Sequence, residues 1–466
     1  MKRLFVVAAM LLSVNAMFAQ DTIVAQVVSE GELSNQPKNG GKVTLKPYGF
    51  VRDYLYYDSR QTFNTNSGLF VQIPKDESFV DSYDVNGESE MNFLAITTRL
   101  GLNMSGVRAL NADVTAKIEA DFCGFTGNNF MIRLRQAYYK MQWRNKKHSL
   151  LMGQSWHPMT GDLPEVLALA SGSPFQPFSR SPQLRYDFKL ANMNFTYATL
   201  WQFQYKTVGP TGYDPKFNMI PEMFLGFDYS NNGFKIGYGL DILSIVPRTT
   251  ATVKYEVAKI GEDGKYVLDE AGNAVMESKE KKVQVDERLT TCSPMLYVNY
   301  ARNKFSLKAK GLLAENTGHL SMYNGFGVSK VNKDYSQEYT PIRSLTGWVD
   351  LCYGSKFKVN LFCGFSKNLG SKDELYVDEK RLELYKEGKI KEVDIYEIFA
   401  RNSVKNIDYM WRICPALSYT VSGVTFGLEY ELTNVGYGDE VNSWADVEAT
   451  RNVFNNRLCA MLKYAW

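Results

Sequence analysis

The chain has 466 residues, 45% of them hydrophobic and 22% charged, with a formal charge of +3. Past its first residues it has no run of about 18 apolar residues, which excludes a bundle of membrane-spanning helices. The mean hydropathy of −0.28 does not exclude a β-barrel, whose apolar residues are diluted by alternation.

The N-terminus reads as a secretory signal over residues 1–19. Lys2 and Arg3 form a basic start, Leu4 to Leu12 an apolar core, and cleavage after Ala19 leaves Gln20 first. Losing Lys2 and Arg3 takes the formal charge from +3 to +1. A near-neutral mature chain gives no ground for a nucleic-acid partner. Residues 20–42 are polar and end in Asn39-Gly40-Gly41, a flexible leader on the periplasmic side.

From Val43 to the end, residues 43–466, alternating segments recur. In 111–122, Ala112, Val114, Ala116, Ile118, Ala120 and Phe122 share one face, with Asp113, Thr115, Lys117, Glu119 and Asp121 opposite. A period of two is that of an extended strand, and no buried helix gives it. In a barrel wall the apolar face meets lipid and the polar face meets water inside. A one-residue slip puts the charges in lipid, at about 2–4 kcal/mol for each basic residue at the midplane, so register is well determined. Sixteen such segments are predicted: 43–57, 91–105, 110–122, 131–143, 149–157, 182–190, 192–205, 221–230, 233–246, 288–301, 304–315, 339–353, 356–366, 405–420, 423–434 and 452–466. In 43–57 both faces are aromatic, and 131–143 changes phase across an expected bulge. An even count suits a closed up-and-down antiparallel barrel. Girdles of Tyr, Phe and Trp at two lipid–water interfaces account for an aromatic content of 14%.

The connections alternate in length. Gly106 to Ala109, Arg144 to His148, Ser230-Asn-Asn-Gly233, Ala301-Arg-Asn-Lys304, Tyr353-Gly-Ser-Lys356 and Val421-Ser-Gly423 are tight. The links between them are longer, above all 247–287 and 367–404. Short periplasmic turns and long external loops are a barrel's asymmetry. Glu262-Asp-Gly-Lys265 and Glu270-Ala-Gly-Asn273 predict an external hairpin within 250–286, and charge alternating at helical spacing predicts a solvated helix over 373–401.

The last strand, Arg457 to Trp466, sets Leu458, Ala460, Leu462, Tyr464 and Trp466 against Arg457, Cys459, Met461 and Lys463. A chain that stops on such a strand resembles the outer-membrane β-barrels of Gram-negative bacteria. That resemblance implies an aromatic assembly signal at Tyr464 and Trp466, a barrel assembly machinery as partner, and outer-membrane lipid around the wall.

A barrel of about sixteen strands leaves an aqueous channel, so the default function is diffusion of small polar solutes. The third external loop, 158–181, holds an apolar stretch from Val166 to Ala170. That is anomalous in water and is accounted for if the loop folds inward and narrows the lumen. Arg133-Leu-Arg-Gln-Ala-Tyr-Tyr139, Leu151-Met-Gly-Gln-Ser-Trp156 and Arg180-Ser-Pro-Gln-Leu-Arg185 resemble the DcaP-like porins, and the likeness in these motifs spans about fifty residues. The resemblance implies sixteen strands, a homotrimer and uptake of small, often anionic solutes. It also makes Arg133, Arg135, Arg180 and Arg185 lumen-lining residues near the constriction. An arginine row in a low-dielectric neck concentrates anions, and Asp162 and Glu165 on the loop would oppose it across the channel. The alternative is that these arginines pair with wall carboxylates such as Asp113, Glu119 and Asp187. Lys117, Lys308, Lys310, Lys358, Arg412, Glu429 and Glu431 are further lumen residues.

Two other functions are weighed. A surface adhesin or structural barrel would use the long loops. A barrel hydrolase would need a histidine beside a nucleophile. Only His148, His157 and His319 exist, and there is no Gly-x-Ser-x-Gly. The six cysteines form no CxxC pair and none lies beside a histidine, so neither a metal site nor a cofactor is expected.

Overall fold

The computed structural model describes residues 43–65, 70–126, 129–168, 172–262 and 264–466. The expected signal and leader lie outside them. The alternating segments form sixteen antiparallel wall strands. They are β1 (Thr44–Asp58), β2 (Glu90–Leu94 continued by Arg99–Ala109), β3 (Ala112–Thr126), β4 (Asn129–Trp143), β5 (His148–Trp156), β6 (Arg180–Leu190), β7 (Met193–Leu200) and β8 (Glu222–Asn231). There follow β9 (Phe234–Ile245), β10 (Leu289–Arg302), β11 (Phe305–Glu315), β12 (Gln337–Gly354), β13 (Phe357–Ser371), β14 (Ile407–Val421), β15 (Val424–Tyr437) and β16 (Arg451–Ala465). Each pairs with the next, and β16 pairs with β1 from Phe50↔Ala465 to Asp58↔Arg457, so the sheet closes on itself. Closure leaves the wall no free edge, the condition for strands to sit in lipid.

The alternation is read out as burial. Along β16, Val453, Asn455, Arg457, Cys459 and Met461 are buried, while Phe454, Leu458, Leu462 and Tyr464 are exposed on the outer face. Tight turns join the strands at one end, through left-handed residues at Leu110–Asn111, Ala191, Asn232–Gly233, Asn303 and Ser422–Gly423.

Several boundaries differ from the sequence reading, and three have a visible cause. The first turn is not Gly106–Ala109: β2 runs on to Ala109. Gly106, at φ +96°, lies in a bulge between Met104 and Val107, where two residues oppose the single Thr115. β7 ends at Leu200, not at residue 205. Beyond it the facing position is Pro182, which accepts from the Trp201 amide but has none to donate. Strand β2 is interrupted at 95–98. There Thr97 and Thr98 turn their hydroxyls to Arg52, accepting from its Nε at 2.9 Å and its amide at 3.2 Å.

The phase change in β4 falls at Arg135. Glu119 of β3 pairs with Gln136 and Ala120 with Leu134, so Arg135 is the extra residue, and Arg135 and Gln136 both point inward. Thr250–Ala258 and Met276–Gln284 form the expected external hairpin, paired only with each other. The solvated helix is shorter than expected: α1 (Glu379–Lys386), N-capped by Asp378, with no buried residue.

Trp466 closes the seam. Its amide donates to the Gly49 carbonyl at 3.2 Å. Its ring lies over Gly49, where a Cβ would come within 2.6 Å of it. Deleting Trp466 is therefore expected to lower the yield of folded barrel several-fold, measured by heat-modifiable gel mobility. The conductance of the channels that do form should stay at wild type, since the ring faces away from the lumen.

Candidate functional site

The loop after β5 enters the lumen and lies along the wall of β9 to β16. Its backbone is held by side chains from that wall. Lys310 on β11 donates to the carbonyls of Met159 at 3.1 Å and Thr160 at 2.5 Å. Lys308 donates to Leu163 O at 2.9 Å. Asp350 on β12 accepts from the Glu165 amide at 3.0 Å. Glu429 on β15 accepts from the amides of Leu167 at 2.8 Å and Ala168 at 3.2 Å. Tyr54 on β1 donates to Leu167 O at 2.9 Å. On the return, Arg412 on β14 donates to Ser173 O at 2.7 Å, and Trp348 on β12 donates to Gln176 Oε1 at 2.6 Å.

The apolar residues of the loop have seats in the wall. Phe175 rests on Gly364 of β13, where a Cβ would meet its ring at 2.6 Å, and Leu167 rests on Gly427 of β15 at the same distance. Leu167 joins Tyr54, Tyr56, Ile96 and Met461 in one cluster, and Phe175 joins Trp348, Phe362 and Met410 in another. The apolar stretch is thus explained for the residues described. Positions 169 and 170 lie outside them.

The loop carboxylates do not stand free against the arginines, as expected from sequence. Asp162 pairs with Lys235 at 3.3 Å and accepts from Asn299. Glu165 lies between Lys308 at 3.0 Å and Lys358 at 3.3 Å. Burial works to raise its pKa, and the two lysines outweigh burial and leave it below the usual carboxylate range.

The arginines divide. Arg133 reaches Asp121 at 2.9 Å and keeps 23% of its side chain exposed. Arg185 reaches Asp187 at 3.0 Å and keeps 33%. These two remain open to the lumen. Arg135 is 3% exposed, locked to Glu119 at 2.8 Å and Asp121 at 2.6 Å. Arg180 is buried between the Trp156 ring, 4.0 Å away, and Gln204. Neither of these two lines a channel. Of the proposed partners, Glu119 and Asp187 pair as expected, while Asp113 takes Arg108. Asp121 was not anticipated.

The remaining predicted lumen charges sort by whether they serve the loop. Lys308 and Lys358 are part-exposed beside Glu165, and Lys117 pairs with Glu119 at 3.7 Å. Lys310, Arg412, Glu429 and Glu431 are buried, the first three on loop peptide groups and Glu431 against Arg412 at 3.3 Å. Inward Arg457 is neutralised by Asp58 at 2.9 Å. Sequence reasoning missed Arg52 and Arg99. With Lys358, Lys463 and Glu165, Arg52 lines a polar cavity of about 200 Å³ beside the loop. Its signal was present: Arg52 shares parity with Tyr54 and Tyr56, but aromatics on both faces obscured which face was inner. Also missed was the meeting of His157 and His319 at Glu222, each Nε2 lying 2.8 Å from Oε1. All six cysteines are free.

No protein-family model matches this sequence, and no curated protein does. Among solved structures, the outer membrane channel DcaP of Acinetobacter baumannii superposes with a TM-score of 0.59 at 16% identity, covering 92% of this chain and 99% of that one. An anion-selective porin from Comamonas acidovorans gives a TM-score of 0.50 at 10% identity, over 91% of this chain and 100% of that one. Nearly the whole chain thus has the sixteen-stranded barrel fold of these outer-membrane channels.

Proposed function

We propose that the chain is an outer-membrane diffusion channel for small polar solutes, with a preference for anions. The observation that carries this reading is the loop bound inside the lumen along one wall. It narrows the barrel with wall side chains on the carbonyls of Met159, Thr160, Leu163, Leu167 and Ser173, and leaves arginines on the wall opposite. Arg133 and Arg185 there stay part-exposed while their partners Asp121 and Asp187 are buried, and among the described residues Arg52 and Lys463 beside the loop have no ion pair, which favours anions in a confined, low-dielectric passage. The Comamonas acidovorans porin of the same fold is described as anion-selective, which agrees. The exposed apolar outer face suits lipid. A hydrolase finds no support: His157 and His319 hydrogen-bond to a carboxylate rather than to a nucleophile.

We further propose a homotrimer. Asp53 lies on the outer face of β1 between exposed Val51 and Leu55. A charge facing lipid is unfavourable, and a neighbouring subunit would shelter it.

In planar bilayers the purified barrel should give open, stepwise currents, and silence from well-folded protein would end the channel reading. Reversal potentials in a salt gradient should show anion preference, lowered at least twofold in permeability ratio by Arg133→Ala with Arg185→Ala, while Arg180→Lys changes it little. Gly364→Val and Gly427→Val should each unseat the loop and raise single-channel conductance with gel mobility unchanged. An unaltered conductance would mean that the loop does not set the constriction. Because the Glu165 pKa is lowered in the folded chain, its ion pairs persist above the ordinary carboxylate value and are lost as pH falls through the lowered one. Conductance should therefore be flat from about pH 7 to about pH 5 and change only in stronger acid, and Glu165→Gln should remove that acid step.

A further inference from the structure

At the root of the inserted loop lies a buried group that the channel reading does not use. His157 follows β5 directly. Glu222 opens β8, Asp241 lies in β9, and His319 sits in a turn of the external loop between β11 and β12. All four are 3% exposed or less. The Nε2 atoms of both histidines lie 2.8 Å from Glu222 Oε1, and Asp241 Oδ1 is 4.0 Å from Nε2 of His157. One ligand atom from each of His157, Glu222 and His319 falls within 4.8 Å of the others. Among the described residues no donor reaches Glu222 Oε2 or Asp241 Oδ1 and nothing pairs with His319 Nδ1, while the two carboxylates lie within hydrogen-bonding reach of each other. Among the described residues, the only ion pairs of the two carboxylates are with these histidines. The surroundings are apolar, with Met159, Phe224, Leu320 and Met322 in one cluster.

Two carboxylates in such a place are costly unless neutralised. Two neutral imidazoles leave a charge of −2, which a divalent cation would cancel. Two nitrogens and the Glu222 carboxylate are three converging ligands for an ion of the zinc class, and Asp241, 4.0 Å from His157, completes a tetrahedral set if its carboxylate turns toward them. Calcium and magnesium take six or more ligands, all oxygen, and imidazole does not suit them. We propose that His157, His319, Glu222 and Asp241 form a binding site for a divalent transition-metal ion of this class. The ion would fasten the first turn of the inserted loop to β8, β9 and the neighbouring external loop. It would also act on that turn. Ligation through Nε2 puts the His157 ring proton on Nδ1, which now accepts from the Met159 amide at 3.2 Å. That contact must open, so the bound ion resets the backbone at Met159, whose carbonyl Lys310 holds.

The test uses the full folded barrel in detergent, stripped with a chelator and titrated with Co²⁺. One Co²⁺ per chain is expected, with the visible absorption of a four-coordinate ion, displaced by Zn²⁺ and unaffected by a large excess of Ca²⁺ or Mg²⁺. His319→Ala and Glu222→Gln should each weaken uptake at least ~tenfold, and His148→Ala, on the outer face, should leave it unchanged. Heat-modifiable mobility separates loss of the site from loss of the fold. Since Glu222→Gln removes a buried charge, His319→Gln is the variant to read if it fails to fold. Wild-type protein that stays below a tenth of an equivalent, displacement by Ca²⁺, or equal uptake by folded His319→Ala would each overturn the proposal.

Discussion

A loop packed against the inner wall of a barrel brings its own amides and carbonyls into a contact from which water is excluded. Those groups must find partners, because a buried peptide group without one costs about 1–3 kcal/mol. In this chain the partners are side chains of the facing wall. Glu429 accepts from two amides, Lys310 donates to two carbonyls, and Arg412 and Asp350 hold one group each. The arrangement resembles the capping of a helix end, except that the caps come from distant strands. Much else follows. These charges are consumed by the loop and not offered to solutes. Small residues, Gly364 and Gly427, stand where apolar loop residues must approach the sheet.

The two sides of the lumen are therefore electrostatically unlike. Along the loop, lysines and carboxylates alternate at contact distance and cancel locally. On the opposite wall, Glu119 and Asp121 receive Arg133 and Arg135, with Arg99 3.8 Å from Glu119. The positive excess there comes from three arginines, Arg99, Arg133 and Arg135, that share two acids. Sharing acids among several arginines also fixes their positions, which a row of free arginines would not do.

The wall was legible in the sequence because lipid on one side and water on the other impose a period of two, and β16 shows it residue by residue. The strand count and the alternation of short and long links followed from the same constraint. Boundaries were lost where local geometry broke the period: the Gly106 bulge reads as a turn because glycine suits both, and Pro182 ends a ladder from the neighbouring strand. The inward course of the loop was visible in Val166 and Leu167, apolar residues out of place in water. The fate of individual charges was not visible. Parity says that Lys310 and Lys358 both face inward, but not that one meets a carbonyl and is sealed while the other stays wet. The histidine group was hidden for a similar reason: His157 and His319 are brought together by the closure of the barrel and not by spacing.

The loop's partners also set an order of events. The contacts from Glu165 to Asp350, from Ser173 to Arg412 and from Leu167 to Glu429 span 185, 239 and 262 residues. The loop follows the fifth strand, yet these three partners lie on the twelfth, fourteenth and fifteenth. Until those strands are in place the later part of the loop lacks these berths, and its peptide groups need water or another protein. Narrowing of the channel is thus among the last steps of folding, and a barrel closed but not yet docked is a wider pore than the finished one.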